Sequence, residues 1–197
     1  MNERLQKQLD FALEIDKEKN IFRQTHLSGH GRNENDAEHA WHMAIMTVLL
    51  AEYANEKIDV LKTVMMLLIH DLVEIDAGDT YAYDEEGKKT QREREEKAAK
   101  RIFGLLPEEQ GEKLMALWEE FEAYETPEAN FAHTMDNIQP VMLNDATDGK
   151  AWLEHGVHLS QILGRNKKTA EGSRELWQYA YEKMIAPNAA KGRIIED

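Results

Sequence analysis

The stretch DVLKTVMMLLIHDLVEI, residues 59–75, decides how this chain is read. Asp59 is a good helix N-cap, because its short carboxylate can accept from the orphan N–H groups of a first turn. Val64, Met65, Leu67, Leu68 and Ile69 follow without a polar side, so the segment reads as a helix that is apolar nearly all round. Residues 38–53 read the same way. Helices of this kind belong at the centre of a bundle. This one ends in His70-Asp71, where a charged carboxylate beside an apolar helix is costly unless something neutralises it.

Working outward, alternating apolar and polar residues are scarce, β-branched residues do not cluster, and helices joined by short loops account for the pattern. Leu5, Leu9, Ala12 and Leu13 form an apolar stripe, and a polar segment with two glycines, residues 25–35, then interrupts the chain. KKTQREREEKAAKRIF, residues 88–103, reads as a solvated surface helix whose apolar residues gather at Ala98, Ala99, Ile102 and Phe103. Pro107 starts the next helix, with Leu114, Leu117, Trp118 and Phe121 inward. Thr126-Pro127 opens another, whose inner face of Phe131, Ala132, Met135, Ile138 and Val141 places Asp136 beside the core. Two helical segments follow, around Trp152 and from Ser173 to about Ile185. The expected fold class is all-α.

At 197 residues the chain suits one domain, 1–197, with C-terminal helices over 147–186 packed on the rest. It contains no cysteine, so disulfides and thiolate ligands are excluded and any metal must be held by nitrogen and oxygen. Residues 1–20 carry charges throughout and lack an apolar run, which argues against secretion or a membrane span and for a cytoplasmic protein. A formal charge of −14 disfavours a nucleic acid polymer as partner. A small phosphorylated substrate would need local positive charge set against that field.

Adjacent helical residues point about 100° apart, so His70 and Asp71 can occupy neighbouring positions around one ion. His39, at the start of one buried helix, and Asp136, inside a later one, are the natural further ligands if those helices pack on the second. Two histidines and two aspartates suit a divalent ion such as Mn²⁺, Co²⁺, Fe²⁺ or Mg²⁺ with coordination positions left over. Of the other histidines, His42 and His133 read as packed or supporting residues, and His26 and His30 as surface loop residues. His155 and His158 have no neighbouring ligands to complete a second site.

Four segments in order, RNENDAEHAWHMA (32–44), HDLVEIDAGD (70–79), LWEEFE (117–122) and MDNIQP (135–140), together resemble the HD-domain phosphohydrolases, and among them the branch that contains the 5′-deoxynucleotidases. The resemblance reaches over residues 23–140. It implies a helical HD domain with one metal between central helices, held by His39, His70, Asp71 and Asp136. It places catalysis on Glu74, one turn beyond the His-Asp pair, and on Asp79, in substrate contact or proton transfer. Arg23 falls, with a one-residue gap, on a phosphate-contacting arginine. Gln24 stands where the family's bacterial deoxynucleotidase carries a tryptophan that selects deoxyribose. Arg32 is implied in phosphate contact or in support of the ligands, and Glu122 in lining the pocket.

The resemblance implies hydrolysis of a phosphomonoester, a (deoxy)nucleoside 5′-monophosphate, by a protein that is commonly a homodimer. An activated water attacks phosphorus in line while the ion and an arginine stabilise the developing charge. Glu74 moves the proton, as base on the water or as acid on the leaving oxygen. Two alternatives stay open: another HD chemistry, namely diester or alarmone hydrolysis or di-iron oxygenation, and a nucleotide-sensing protein without turnover.

Overall fold

The computed structural model describes residues 2–29, 31–78 and 85–197, the side chains of residues 85–88 excepted. Asp79 and His30 lie outside the described residues. Helix α1 (Glu3–Glu14) leads into a short antiparallel hairpin of β1 (Phe22–His26) and β2 (Asn33–Asn35), and the rest is helical. The central helices are α2 (Asp36–Leu50) and α3 (Val60–Ile69), which pack side by side. A 3₁₀ turn, His70–Val73, joins α3 to the single-turn helix α4 (Glu74–Ala77). Helices α5 (Glu85–Phe103), α6 (Glu108–Ala123) and α7 (Pro127–Ala146) follow.

Local chemistry sets these boundaries. Asn35 and Glu38 form a reciprocal capping box at the start of α2, and the Asp59 carboxylate accepts from Lys62 N at 3.0 Å to start α3. Thr126 caps α7, with Pro127 in its first turn. Helix α7 runs through Pro140, which has no N–H for the carbonyl of Asp136 one turn earlier.

One apolar cluster holds Met43 of α2, Met66 and Leu67 of α3, and Phe131 and Met135 of α7, all fully buried. Trp152, Ile162, Ile185 and Ile194 from the C-terminal segments join it. Those segments are α8 (Lys150–His155), α9 (Leu159–Arg165), α10 (Thr169–Gly172), α11 (Arg174–Ala180) and, after a π-helical turn, α12 (Ala186–Ala190). Helix α10 lies so close to α7 that a Cβ on Gly172 would fall 2.3 Å from the Asn130 carbonyl oxygen, so only glycine permits the approach. A second cluster packs Ile69 and Leu72 against Ala98, Ala99, Ile102, Phe103 and Trp118.

Four expectations need correction. His26, read as a surface loop residue, is buried at the end of β1 with Nε2 2.7 Å from Glu154 Oε2. The polar segment holds a hairpin, whose strands of five and three residues are too short to register as alternation. The stripe of Leu5, Leu9 and Leu13 on α1 is exposed, and the helix docks through Phe11 and Ile15 instead. Helices α2 and α3 are not buried all round. Trp41, Ile45, Val48 and Leu49 on α2 and Leu61, Met65 and Leu68 on α3 are exposed, and they are every exposed position within residues 41–50 and 60–70.

Candidate functional site

Helices α2, α3 and α7 converge on one polar point in the apolar interior. His39, His70 and Asp136 each offer a donor atom there, all within 4.8 Å of one another. Among the described residues this is the one grouping of His and carboxylate side chains with metal-binding geometry.

The imidazoles are held by their other nitrogens. Nδ1 of His70 lies 2.8 Å from the Leu67 carbonyl oxygen and donates to it. Nδ1 of His39 lies 2.9 Å from Oε1 of Gln139, whose amide nitrogen donates to Glu34 at 2.9 Å and lies 3.2 Å from Nδ1 of His42. Both rings therefore turn Nε2 towards the carboxylates, 3.1 Å from Asp136 Oδ1 for His39 and 3.1 Å from Asp71 Oδ1 for His70. Fixing the outer nitrogen and aiming the inner one is how proteins prepare imidazole for a metal, so the donor set fits a divalent ion. Asp71 stands beside this trio, its second oxygen accepting from Arg23 Nη1 at 2.8 Å.

The local field is strongly negative. Burial disfavours the imidazolium of His70, yet the Asp71 carboxylate overrides it and lifts His70 to about 9. Burial holds His39 down at about 4, with Arg23 adding to the effect. Asp71 and Asp136 are lowered in spite of their burial, the first by His70 and Arg23, the second by Arg165 and His39. A field that retains a proton on a buried imidazole is one in which a divalent cation can compete for the same electrons.

A cavity of about 260 Å³ opens beside the trio. Glu74, Glu122, Tyr124 and Arg165 line it together with His70, Asp71 and Asp136. Glu74 is buried on α4, and its place one helical turn past the His-Asp pair puts it in the wall beside them. Glu122 is pushed up to about 7 by burial and by the nearby Glu95.

Other expected site residues lie elsewhere. Arg23 does not line the cavity: it bonds Asp71 and, at 3.3 Å, Asp36. Gln24 is half-buried in β1 and Arg32 pairs with Glu38 on the surface, neither of them at the cavity wall. His133 stacks between Phe121 and Tyr124, with ring centroids 3.9 Å from each. His158 pairs with Asp197 on the surface.

Three lining residues escaped the sequence reading. Glu95 lies on the helix taken as solvated, yet it shares the stripe of Ala98, Ala99 and Ile102 at helical spacing, which was a readable signal. Tyr124 and Arg165, from the end of α6 and from α9, gave no such signal.

The HD-domain family profile matches residues 15–177. A human protein named 5′-deoxynucleotidase HDDC2 is 32% identical over 111 residues, covering 56% of this chain and 53% of its own, and the mouse protein of that name is 30% identical over 109 residues. The chain thus spans about half the length of the curated relatives it matches. Among solved structures, one described as a predicted metal-dependent phosphohydrolase from Magnetospirillum magnetotacticum MS-1 is 46% identical, with a TM-score of 0.91 over 97% of this chain and 95% of that one. A conserved hypothetical protein from Pyrococcus furiosus is 25% identical, with a TM-score of 0.64 over 88% and 97% of the two chains.

Proposed function

This chain belongs to the HD-domain family of metal-dependent phosphohydrolases, and on that premise we propose that it releases inorganic phosphate from a nucleoside 5′-monophosphate. The observation that carries the reading is the trio of His39, His70 and Asp136, of which His70 and Asp136 line a half-open cavity of about 260 Å³, at the small end of ligand sites. A space of that size suits a phosphorylated sugar better than a polymer. The relatives named 5′-deoxynucleotidase support the same substrate class.

His39, His70 and Asp136 would hold the ion in this reading, with Asp71, which stands beside that grouping 3.1 Å from His70 Nε2, as the fourth ligand. A bound divalent ion supplies Lewis acidity, making a water more acidic and offsetting phosphate charge. The protein does the rest. Arg23 fixes Asp71, Gln139 fixes His39, and Glu74 exchanges the proton between the attacking water and the leaving alkoxide. Glu122, which lines the same cavity, would contact the sugar. Asp79 keeps the role in substrate contact or proton transfer that the resemblance implies.

Phosphate release from a panel of ribo- and deoxyribonucleoside 5′-monophosphates tests the reading. The protein is stripped with chelator and resupplied with Mn²⁺, Co²⁺ or Mg²⁺. Metal-dependent release from one or more members is expected; none with any metal would turn attention to the sensing alternative. The relative rates on the ribo and deoxy forms then read out what Gln24 does in place of a tryptophan.

The same reading includes a homodimer built on the outer faces of α2 and α3. Seven exposed apolar side chains gather there, on two neighbouring helices, and a standard interface takes about 800 Å² from each partner. Within residues 41–50 and 60–70 the one charged side chain, Lys62, is a third exposed and paired with Glu120 at 2.6 Å, so the face suits its own copy better than a charged partner. Ile45→Glu is expected to shift sedimentation from dimer to monomer. A wild-type protein that sediments as monomer at micromolar concentration would remove the interface.

A further inference from the structure

The cavity presents a phosphate dianion with an electrostatic problem. Five carboxylates, Asp71, Glu74, Glu95, Glu122 and Asp136, line it. A divalent ion held by the trio would offset two of these charges at most. The arginine expected from sequence to meet phosphate, Arg23, faces Asp71 and Asp36 and lies outside the cavity wall. Among the lining residues, Arg165 is the arginine, and no lysine joins it.

Arg165 ends α9, and its Nη2 donates to Asp136 Oδ2 at 3.1 Å. That bond uses one of five guanidinium N–H donors, on a side chain a third exposed at the cavity rim. The guanidinium is thus anchored beside the metal trio with donors to spare, the fork geometry that suits two oxygens of a phosphate.

Tyr124 supplies an independent observation. It caps α6 in the left-handed region, at φ 58° and ψ 40°, which costs a bulky residue conformational energy. Its ring is held on both faces, by His133 at 3.9 Å and by Lys168 Nζ at 4.7 Å from the centroid. Yet its hydroxyl is buried without a hydrogen-bond partner, on a residue that lines the same cavity. Burial raises the phenol, with the charges of Glu171 and Asp136 adding to the effect, so near neutral pH it is an O–H donor. A strained backbone and a clamped ring that deliver an unsatisfied donor to a cavity fit a ligand oxygen.

We propose that Arg165 and Tyr124 form the phosphate-recognition pair of this cavity, the guanidinium donating to two phosphate oxygens and the phenol hydroxyl donating to one of them. The pair rests on the reading that the substrate is a phosphomonoester, and it moves the phosphate contact from the N-terminal hairpin to the C-terminal half.

The test is binding of inorganic phosphate to the Mn²⁺-loaded protein by calorimetry, with metal content measured on each sample, beside KM and kcat on the best nucleotide of the panel. Arg165→Ala is expected to weaken phosphate binding and raise KM by about 30-fold, Arg165→Lys to recover part of that, and Tyr124→Phe to cost about fivefold at unchanged metal content. Because Arg165 also touches Asp136, Tyr124→Phe decides the matter if Arg165→Ala loses its metal. Wild-type phosphate affinity in Tyr124→Phe and in metal-replete Arg165→Ala would overturn the pair. If no nucleotide is hydrolysed but phosphate still binds through Arg165 and Tyr124, the pair stands and the nucleotidase reading falls.

Discussion

Asp136→Asn is expected to leave the fold in place and to abolish both metal retention and phosphate release. The substitution keeps the volume of the side chain, so the surrounding apolar cluster has no cavity to close. It removes the negative charge that balances Arg165 and faces Nε2 of His39 at 3.1 Å. With one of the three convergent donors turned into an amide, the remaining pair of imidazoles and Asp71 make a weaker and less charged site. Loss of a residue that merely orients a ligand costs about 10- to 100-fold in metal affinity, and loss of a ligand should exceed that. Metal analysis after dialysis, beside phosphate release in excess Mn²⁺, reads both effects. A variant that holds stoichiometric metal and turns over within tenfold of wild type would take Asp136 out of the ligand set.

Glu74→Gln should separate chemistry from binding. The glutamine keeps the packing of a buried residue beside the trio but neither takes nor gives a proton as a carboxyl group does. Proton transfer by a positioned side chain is worth about 10²- to 10⁴-fold, so kcat should fall by that range while metal content stays at the wild-type level. KM should change little, since the proposed phosphate contacts are Arg165 and Tyr124 rather than Glu74. A loss below tenfold would assign the proton to a different group, with Asp79 and Glu122 as the next to replace.

The parts of this site that could be read from sequence share one property: their position follows from the periodicity of a long helix. His39 and Asp136 stood as candidates from their places on two long helices, the family resemblance implied them as ligands, and both lie where α2 and α7 meet α3. Glu95 was equally accessible to that logic and was obscured by the charge density of its helix. Arg23 and Arg165 were not accessible. The bond from Arg23 to Asp71 depends on how a five-residue strand sits against the 3₁₀ turn, and Arg165 arrives from a helix of seven residues, 29 positions beyond the aspartate it touches. Short elements carry too few residues for a period. The exposed faces of α2 and α3 escaped for another reason, because an apolar position looks alike whether its neighbour is the same chain or a second one.

The metal trio also has a bearing on how the chain reaches its native state. His39 and Asp136 are 97 positions apart, with His70 between them, so a local segment holds at most the adjacent His70 and Asp71 of the proposed donors. A nascent or partly collapsed chain therefore has little to offer an ion, and the site appears only when α7 closes on α2 and α3. Metal then acts as a late cross-link: it leaves the folding rate nearly unchanged, slows unfolding, and at 100-fold over its dissociation constant adds about 2.7 kcal/mol to stability.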